Sequence, residues 1–142
     1  RDSSTSRGLG DVYKRQDYKT GGEPHPVDNI ESLFIPSESR SGYIFQTFLY
    51  AAILSKKQPN HPVAPSLLYI HKAASPTYSP VIAMGDAYKP KVEVTDFREH
   101  NDAFREHLQR LLQEIYNPGE SFFQTEFDSQ CAYCDFKSLC KR

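Results

Sequence analysis

The strongest constraint on the fold is an amphipathic pattern over residues 96–116. Apolar side chains recur there at helical spacing, while charged side chains occupy the rest of the helical wheel. The apolar set consists of Phe97, Phe104, Leu108, Leu111, Leu112 and Ile115. Thr95 or Asp96 can cap the start of this helix, and Asn117-Pro118-Gly119 stops it. The pattern therefore predicts one long helix with a single apolar stripe.

A second helix is predicted over residues 42–57, where apolar side chains surround nearly the whole helix, so that we expect it to be largely buried. Short apolar runs at residues 64–71, 81–84 and 92–94 favour strands. The proline- and serine-rich residues 21–41 are predicted to form a loop. The sequence of 142 residues is thus expected to form at most one domain, with a modest core.

The composition is typical of a folded, soluble protein, with 38 % hydrophobic, 13 % aromatic and 25 % charged residues. No apolar run approaches the roughly eighteen residues of a membrane span, and no signal-peptide pattern opens the sequence. A cytoplasmic protein is therefore expected. The net charge of -1 gives no global basic field, so any DNA contact has to come from a local patch.

Residues 1–16 differ in character from the rest of the chain. They show no helical or strand periodicity beyond Val12-Tyr13, and they resemble a translated cloning or sequencing linker. We predict that this segment is not native and that the native sequence begins near Asp17. A flexible native tail is the alternative.

The stretch Asp17-Tyr18-Lys19-Thr20-Gly21 has the residue types of half a phosphodiesterase site. On a strand, Asp17 and Lys19 share one face. The carboxylate can hold a divalent metal, and the ammonium can orient a water or neutralise charge on a phosphate oxygen. The structural alternative is a solvated strand end.

Gln46 and Tyr50 lie four residues apart on the first predicted helix, so their side chains emerge on one face. Gln46 offers two donors and an acceptor, and Tyr50 offers a hydroxyl. If the helix packs beside the Asp17 strand, both groups can face the same phosphate. The alternative is that they bond to the backbone at the helix surface.

Cys131, Cys134 and Cys140 are the three cysteines of the chain. Their odd number and tight clustering favour a metal or cluster site over disulfides. The Cys-x2-Cys spacing allows two thiolates to bind one metal centre, and a turn in the chain allows the third thiolate to bind the same centre. His100 and His107 are expected to be solvated surface residues, so the fourth ligand has no local candidate. Three reduced structural thiols are the alternative.

The order of these motifs resembles the RecB-like branch of the PD-(D/E)XK nucleases, and above all the iron–sulfur nuclease domain of AddB-type helicase–nuclease subunits. The resemblance also includes Phe122-Phe123-Gln124-Thr125 and Tyr133-Cys134-Asp135-Phe136-Lys137. It spans residues 17–142 and implies an α/β, restriction-endonuclease-like fold with a mixed central sheet and flanking helices.

The resemblance also implies roles for individual residues. Asp17 would be an acidic metal ligand and Lys19 the catalytic lysine, while Gln46 and Tyr50 would help to hold active-site groups and DNA. The reaction would be hydrolysis of DNA phosphodiesters with Mg2+ or Mn2+, in double-strand break repair beside an AddA-like helicase subunit. The CRISPR-associated RecB-like exonucleases are an alternative, and a non-catalytic zinc- or cluster-stapled DNA-binding module is another.

The cysteines would, by the same resemblance, supply three of the four ligands of a 4Fe-4S cluster. In the family, the fourth cysteine and the acidic or histidine residues of the first two motifs lie upstream of the Asp17 strand. Here the linker-like segment takes that place. We therefore expect residues 17–142 to be the C-terminal part of a nuclease domain, truncated on its N-terminal side, with little or no nuclease activity of its own.

Overall fold

The computed structural model describes residues 13–22, 25–86, 88, 90–132 and 134–141, with the backbone alone for residues 13–17. In chain order, the strands and α-helices of this part are β1 (Tyr13–Lys19), α1 (Gly42–Lys57), β2 (Val63–Tyr69), β3 (Ala83–Met84), β4 (Val92–Glu93) and α2 (Arg98–Ile115). Short 3-10 helices lie at Glu31–Leu33, Ile70–Lys72 and Asp128–Cys131. Both predicted helices are confirmed. Within these described ranges, no helix has the length and apolar character needed to cross a membrane.

The strands combine parallel and antiparallel pairing. β1 pairs in parallel with β2, with Asp17 opposite Leu67 and Lys19 opposite Tyr69. β3 and β4 are antiparallel, and an isolated antiparallel bridge from Ser66 to Val81 links β2 to the residues just before β3. Parallel neighbours need a crossover, and α1 lies in the connection between β1 and β2 and packs on both. The predicted α/β class is confirmed.

The first strand begins earlier than the sequence indicated. β1 starts at Tyr13, so the backbone of residues 13–16 leads directly into Asp17 as a strand. Residues 14–16 show no strand periodicity in the sequence, yet they belong to β1, because ladder hydrogen bonds come from the backbone and do not require an apolar alternation. Residues 1–12 lie outside the described residues, and the linker-like origin of residues 1–16 stays a prediction.

Helix α1 forms the centre of the core. The side chain of Ser41 accepts a hydrogen bond from the backbone N–H of Ile44, which caps the first turn. The helix buries Ile44, Thr47, Phe48, Ala51, Ala52 and Ser55. It is largely buried, as predicted, but Tyr43 and Ile53 remain 40 % and 50 % exposed.

Three fully buried phenylalanines join the two helices. The ring of Phe48 on α1 lies 4.9 Å from that of Phe97 and 6.3 Å from that of Phe104, and the last two rings are 5.7 Å apart. Aromatic pairs at such distances stabilise a core by about 0.5–1.5 kcal/mol each beyond the area they bury. This cluster fixes α2 against α1, and through α1 against the parallel strands.

Asp96 caps α2 and ties it to the start of β2. One carboxylate oxygen accepts hydrogen bonds from the backbone N–H of Arg98 at 3.1 Å and of Val63 at 3.3 Å. The side chain of Arg98 also donates to this carboxylate, which together with the backbone bonds lowers the pKa of Asp96 despite its partial burial. Of the two capping candidates in the sequence, Asp96 is the residue that acts.

The two histidines of α2 are more buried than expected. His100 and His107 are both half-buried, and the ring of His107 stacks on Phe34 with centroids 5.2 Å apart. The expectation of two solvated histidines is therefore wrong. For His107 the cause is the loop before α1, which places Phe34 against the ring, where the sequence pattern alone indicated only a polar surface.

Candidate active site

The C-terminal end of β1 brings Lys19 to the first turns of α1. In a strand–helix–strand unit the helix begins near the end of the strand that precedes it, so side chains from both elements meet at that edge. Nζ of Lys19 donates a hydrogen bond to Oε1 of Gln46 at 3.1 Å. The predicted packing of the Asp17 strand beside the glutamine helix is thus confirmed for Lys19.

Gln46 connects Lys19 to Tyr50. Nε2 of Gln46 donates to the hydroxyl of Tyr50 at 2.9 Å, one helical turn further on. The amide therefore presents its acceptor to the ammonium and its donor to the phenol, which is the pairing that its two ends require. The alternative is that Gln46 bonds to the backbone at the helix surface. Its amide instead forms hydrogen bonds with the side chains of Lys19 on β1 and Tyr50 on α1.

The backbone of Asp17 lies on β1 near the same edge of the parallel strands as Lys19. It lies on β1 two residues before Lys19 and opposite Leu67, and alternation along a strand places residues two apart on one face. Its side chain lies outside the described residues. In the described ranges, no group of three or more histidine, cysteine, aspartate or glutamate side chains could hold a metal ion. The role of Asp17 as a metal ligand stays a prediction.

Two tyrosines that sequence reasoning left out complete the surroundings of Lys19. The ammonium lies 4.2 Å from the centroid of the Tyr43 ring, at cation–π distance. The Tyr43 ring lies 6.5 Å from that of Tyr69, the residue opposite Lys19 on β2. Tyr43 precedes Gln46 by three residues, and this helical spacing was the signal available in the sequence. On sequence alone, its ring belongs to the nearly all-round apolar surface of the predicted helix.

The end of β2 is held by a side chain from the segment that follows it. The Tyr78 hydroxyl accepts from the backbone N–H of Tyr69 at 2.9 Å and donates to the carbonyl of Leu67 at 2.6 Å. A pocket of about 250 Å3 opens beside Tyr69, lined by apolar and aromatic side chains together with His25 and Lys91. Tyr69 thus lines this pocket and also lies opposite Lys19 in the pairing of β1 with β2.

The cysteine segment is described at residues 128–132 and 134–141. Cys131 ends a 3-10 helix, and backbone hydrogen bonds form tight turns from Cys134 to Cys131 and from Cys140 to Phe136. The three thiols are free of disulfides. Among the residues the structure describes, they belong to no group of three or more metal-ligating side chains, and their role as cluster ligands stays a prediction.

Two hydrogen bonds attach this segment to the loop before α1. The Ser129 hydroxyl donates to the carboxylate of Glu38 at 2.9 Å, and the Gln130 amide donates to the carbonyl of Ser37 at 3.2 Å. Around them, large apolar side chains are exposed at Phe122, Phe123, Phe136 and Leu139. The C-terminal segment is thus tied to the rest of the chain near the start of the helix that carries Gln46.

Comparison with known proteins gives one family. The model of the PD-(D/E)XK nuclease superfamily matches residues 12–141, which include the β1–α1–β2 unit and the whole candidate site. No curated protein and no solved structure matches the chain significantly. The match confirms, at the level of the superfamily, what the order of the motifs indicates.

Proposed function

Because the chain belongs to the PD-(D/E)XK nuclease superfamily, we propose that it carries the phosphate-facing part of a metal-dependent deoxyribonuclease site. Its mixed α/β architecture is consistent with a restriction-endonuclease-like fold. The observation that supports the proposal most is the hydrogen-bonded chain from Lys19 through Gln46 to Tyr50. These three residues come from two elements and from two motifs that the resemblance names as catalytic.

Lys19 acts on the phosphate directly. Its ammonium sits at the edge of the parallel strands, where it can neutralise charge that develops on a phosphate oxygen or orient the attacking water. Gln46 fixes the ammonium through Oε1, and Tyr50 fixes the amide in turn. A charged group held in this way loses little conformational freedom when the substrate arrives.

PD-(D/E)XK nucleases generally use Mg2+. When bound, such an ion supplies Lewis acidity to the phosphate and lowers the pKa of a coordinated water. Asp17 would be its ligand in this chain, and it is the one carboxylate that the resemblance assigns. A single carboxylate holds Mg2+ weakly, because the ion favours near-octahedral oxygen coordination. We therefore expect the chain by itself to hydrolyse little or no DNA.

The more specific assignment is the RecB-like branch, in an AddB-type subunit that works with an AddA-like helicase in double-strand break repair. The cysteine spacing supports this assignment, with Cys131, Cys134 and Cys140 as three of four cluster ligands. In the described part of the chain they form no group of three metal-ligating side chains, so they would have to converge when a cluster binds. The CRISPR-associated RecB-like exonucleases remain the closest enzymatic alternative.

The proposal is tested by the affinity of the chain for linear DNA in the presence of Ca2+, which occupies oxygen sites without supporting turnover. Lys19→Ala should weaken binding and reduce the slope of log affinity against log salt by about 0.7–0.9, the value for one lost phosphate contact. Lys56→Ala, in the last turn of α1, is the matched control. Equal affinities for the wild type and Lys19→Ala would overturn the nuclease proposal.

Equal affinities of the wild type and Lys19→Ala would instead favour a DNA-binding module without catalysis. The clustered cysteines are the observation that supports such a module. Such a module would bind zinc or a cluster tightly and would be indifferent to replacement of Asp17 or Lys19. A third outcome is that the chain alone degrades linear DNA, with this activity lost in Lys19→Ala. That result would contradict the expected low activity and would support Lys19 as a catalytic residue.

A further inference from the structure

We propose that Tyr43 is a positioning residue, which holds the ammonium of Lys19 where a DNA phosphate meets it. The inference rests on the proposed function and adds to it a residue that the motifs do not include. Nζ of Lys19 lies 4.2 Å from the centroid of the Tyr43 ring and 3.1 Å from Oε1 of Gln46. Tyr43 and Gln46 are three residues apart on α1, so one helical turn supplies both contacts.

The two contacts constrain the ammonium in different ways. The hydrogen bond to Gln46 fixes one N–H direction, while attraction to the face of the ring limits sideways movement. Both contacts come from the first two turns of α1, so the helix sets the position of the ammonium at the end of β1. Such preorganisation is what a group needs when it stabilises charge on a reacting phosphate, because no reorientation is required as the charge develops.

The turn after β1 is built to let the ring take this position. Gly22 has φ +79°, a backbone conformation that residues other than glycine rarely adopt. A Cβ atom at Gly22 would lie 3.0 Å from Cε2 of Tyr43, a tight contact that would require the ring to shift by a few tenths of an ångström. The glycine therefore gives the chain its turn and gives Tyr43 its place, directly after the strand that carries Lys19.

The ring is supported but still open to substrate. The ring of Tyr69 on β2 lies 6.5 Å from the Tyr43 ring, centroid to centroid. Tyr43 nevertheless keeps 40 % of its surface exposed. A buried core tyrosine would have no route to the substrate, whereas this ring and its ammonium lie at an accessible edge.

The test uses the full chain with Tyr43→Leu, Tyr43→Phe and the control Tyr18→Leu, whose exposed ring belongs to the residue just before Lys19. In the NMR spectrum, the side-chain CεH2 signals of Lys19 should be shifted upfield by the ring in the wild type and in Tyr43→Phe. In Tyr43→Leu this shift should disappear. Affinity for a labelled oligonucleotide should fall roughly two- to thirtyfold in Tyr43→Leu, the range expected for loss of a cation–π contact.

Affinity within about twofold of the wild type is expected for Tyr43→Phe and Tyr18→Leu, since neither change removes the ring over Lys19. The inference is overturned if Tyr43→Leu keeps the upfield shift. It is also overturned if the shift is lost while DNA affinity stays unchanged and Lys19→Ala still weakens binding. If Lys19→Ala has no effect on DNA affinity, the proposed function fails, and the upfield shift alone then decides whether Tyr43 holds the ammonium.

Discussion

Lys19 and Gln46 lie 27 residues apart in the chain, and their side chains meet in a hydrogen bond of 3.1 Å. The contact joins the last residue of a strand to the second turn of the helix that follows. Each residue belongs to a separate motif of the sequence, and the fold makes them neighbours. The lysine motif on β1 and the glutamine–tyrosine motif on α1 therefore contribute to one candidate site.

Gln46→Leu should weaken DNA binding with little loss of stability. The substitution removes the acceptor of Lys19 and the donor to Tyr50, and a hydrogen bond contributes about 0.5–1.5 kcal/mol net. We expect a roughly two- to tenfold loss of affinity in fluorescence anisotropy with a labelled oligonucleotide. Gln109→Leu, on the exposed side of α2, is the matched control. A loss of the same size in that control would contradict a specific role for Gln46.

Phe104→Ala should destabilise the domain by about 3–5 kcal/mol, because it empties the centre of the phenylalanine cluster. Urea unfolding followed by circular dichroism measures this change. Phe123→Ala alters a ring that is 90 % exposed and should stay within about 0.5 kcal/mol of the wild type. Equal effects of the two substitutions would show that the two helices are not held together by this core.

Asp96→Asn should destabilise the chain near neutral pH, and the cost should shrink in acid. Hydrogen bonds from the Arg98 side chain lower the pKa of Asp96 below its ordinary value of 3.8. The ionised form is thus favoured by folding, so its stabilisation is present above the unfolded pKa and is lost as the pH falls through the lower folded pKa. A cap of this kind contributes about 0.5–2 kcal/mol.

Unfolding curves between pH 3 and 7 would measure the effect at Asp96, with Asp102→Asn on the exposed surface of α2 as the control. A difference from the wild type that stays constant down to pH 3 would contradict the assigned cause.

The proposed cluster should depend on all three thiols, Cys131, Cys134 and Cys140. Anaerobic reconstitution with iron and sulfide is expected to give brown protein with sulfur-to-iron charge-transfer absorption, and this should be lost in Cys131→Ser, Cys134→Ser and Cys140→Ser. Ser138→Ala, within the same segment, should keep the colour. Colourless protein that carries stoichiometric zinc would contradict the cluster and support the zinc-stapled module.

Both helices could be predicted because apolar periodicity extends over many residues, and the pairing of Gln46 with Tyr50 follows from helical spacing alone. The contact of Lys19 with Gln46 could not be derived in this way, since it depends on how α1 crosses the two parallel strands. Tyr43 was missed because its spacing from Gln46 does not reveal that the ring lies against a lysine from another element. The first residues of β1 were missed because backbone pairing leaves no pattern in their side chains.

The most direct test of the account is a double-mutant cycle on Lys19 and Gln46, with the free energy of binding to linear DNA as the measured quantity. If Gln46 acts by holding Lys19, Gln46→Leu should weaken binding in the wild type and should have little further effect once Lys19→Ala is present. The expected coupling energy is about 0.5–1.5 kcal/mol. Strictly additive losses, or no loss in Lys19→Ala, would contradict the claim that these two residues form one phosphate-facing site.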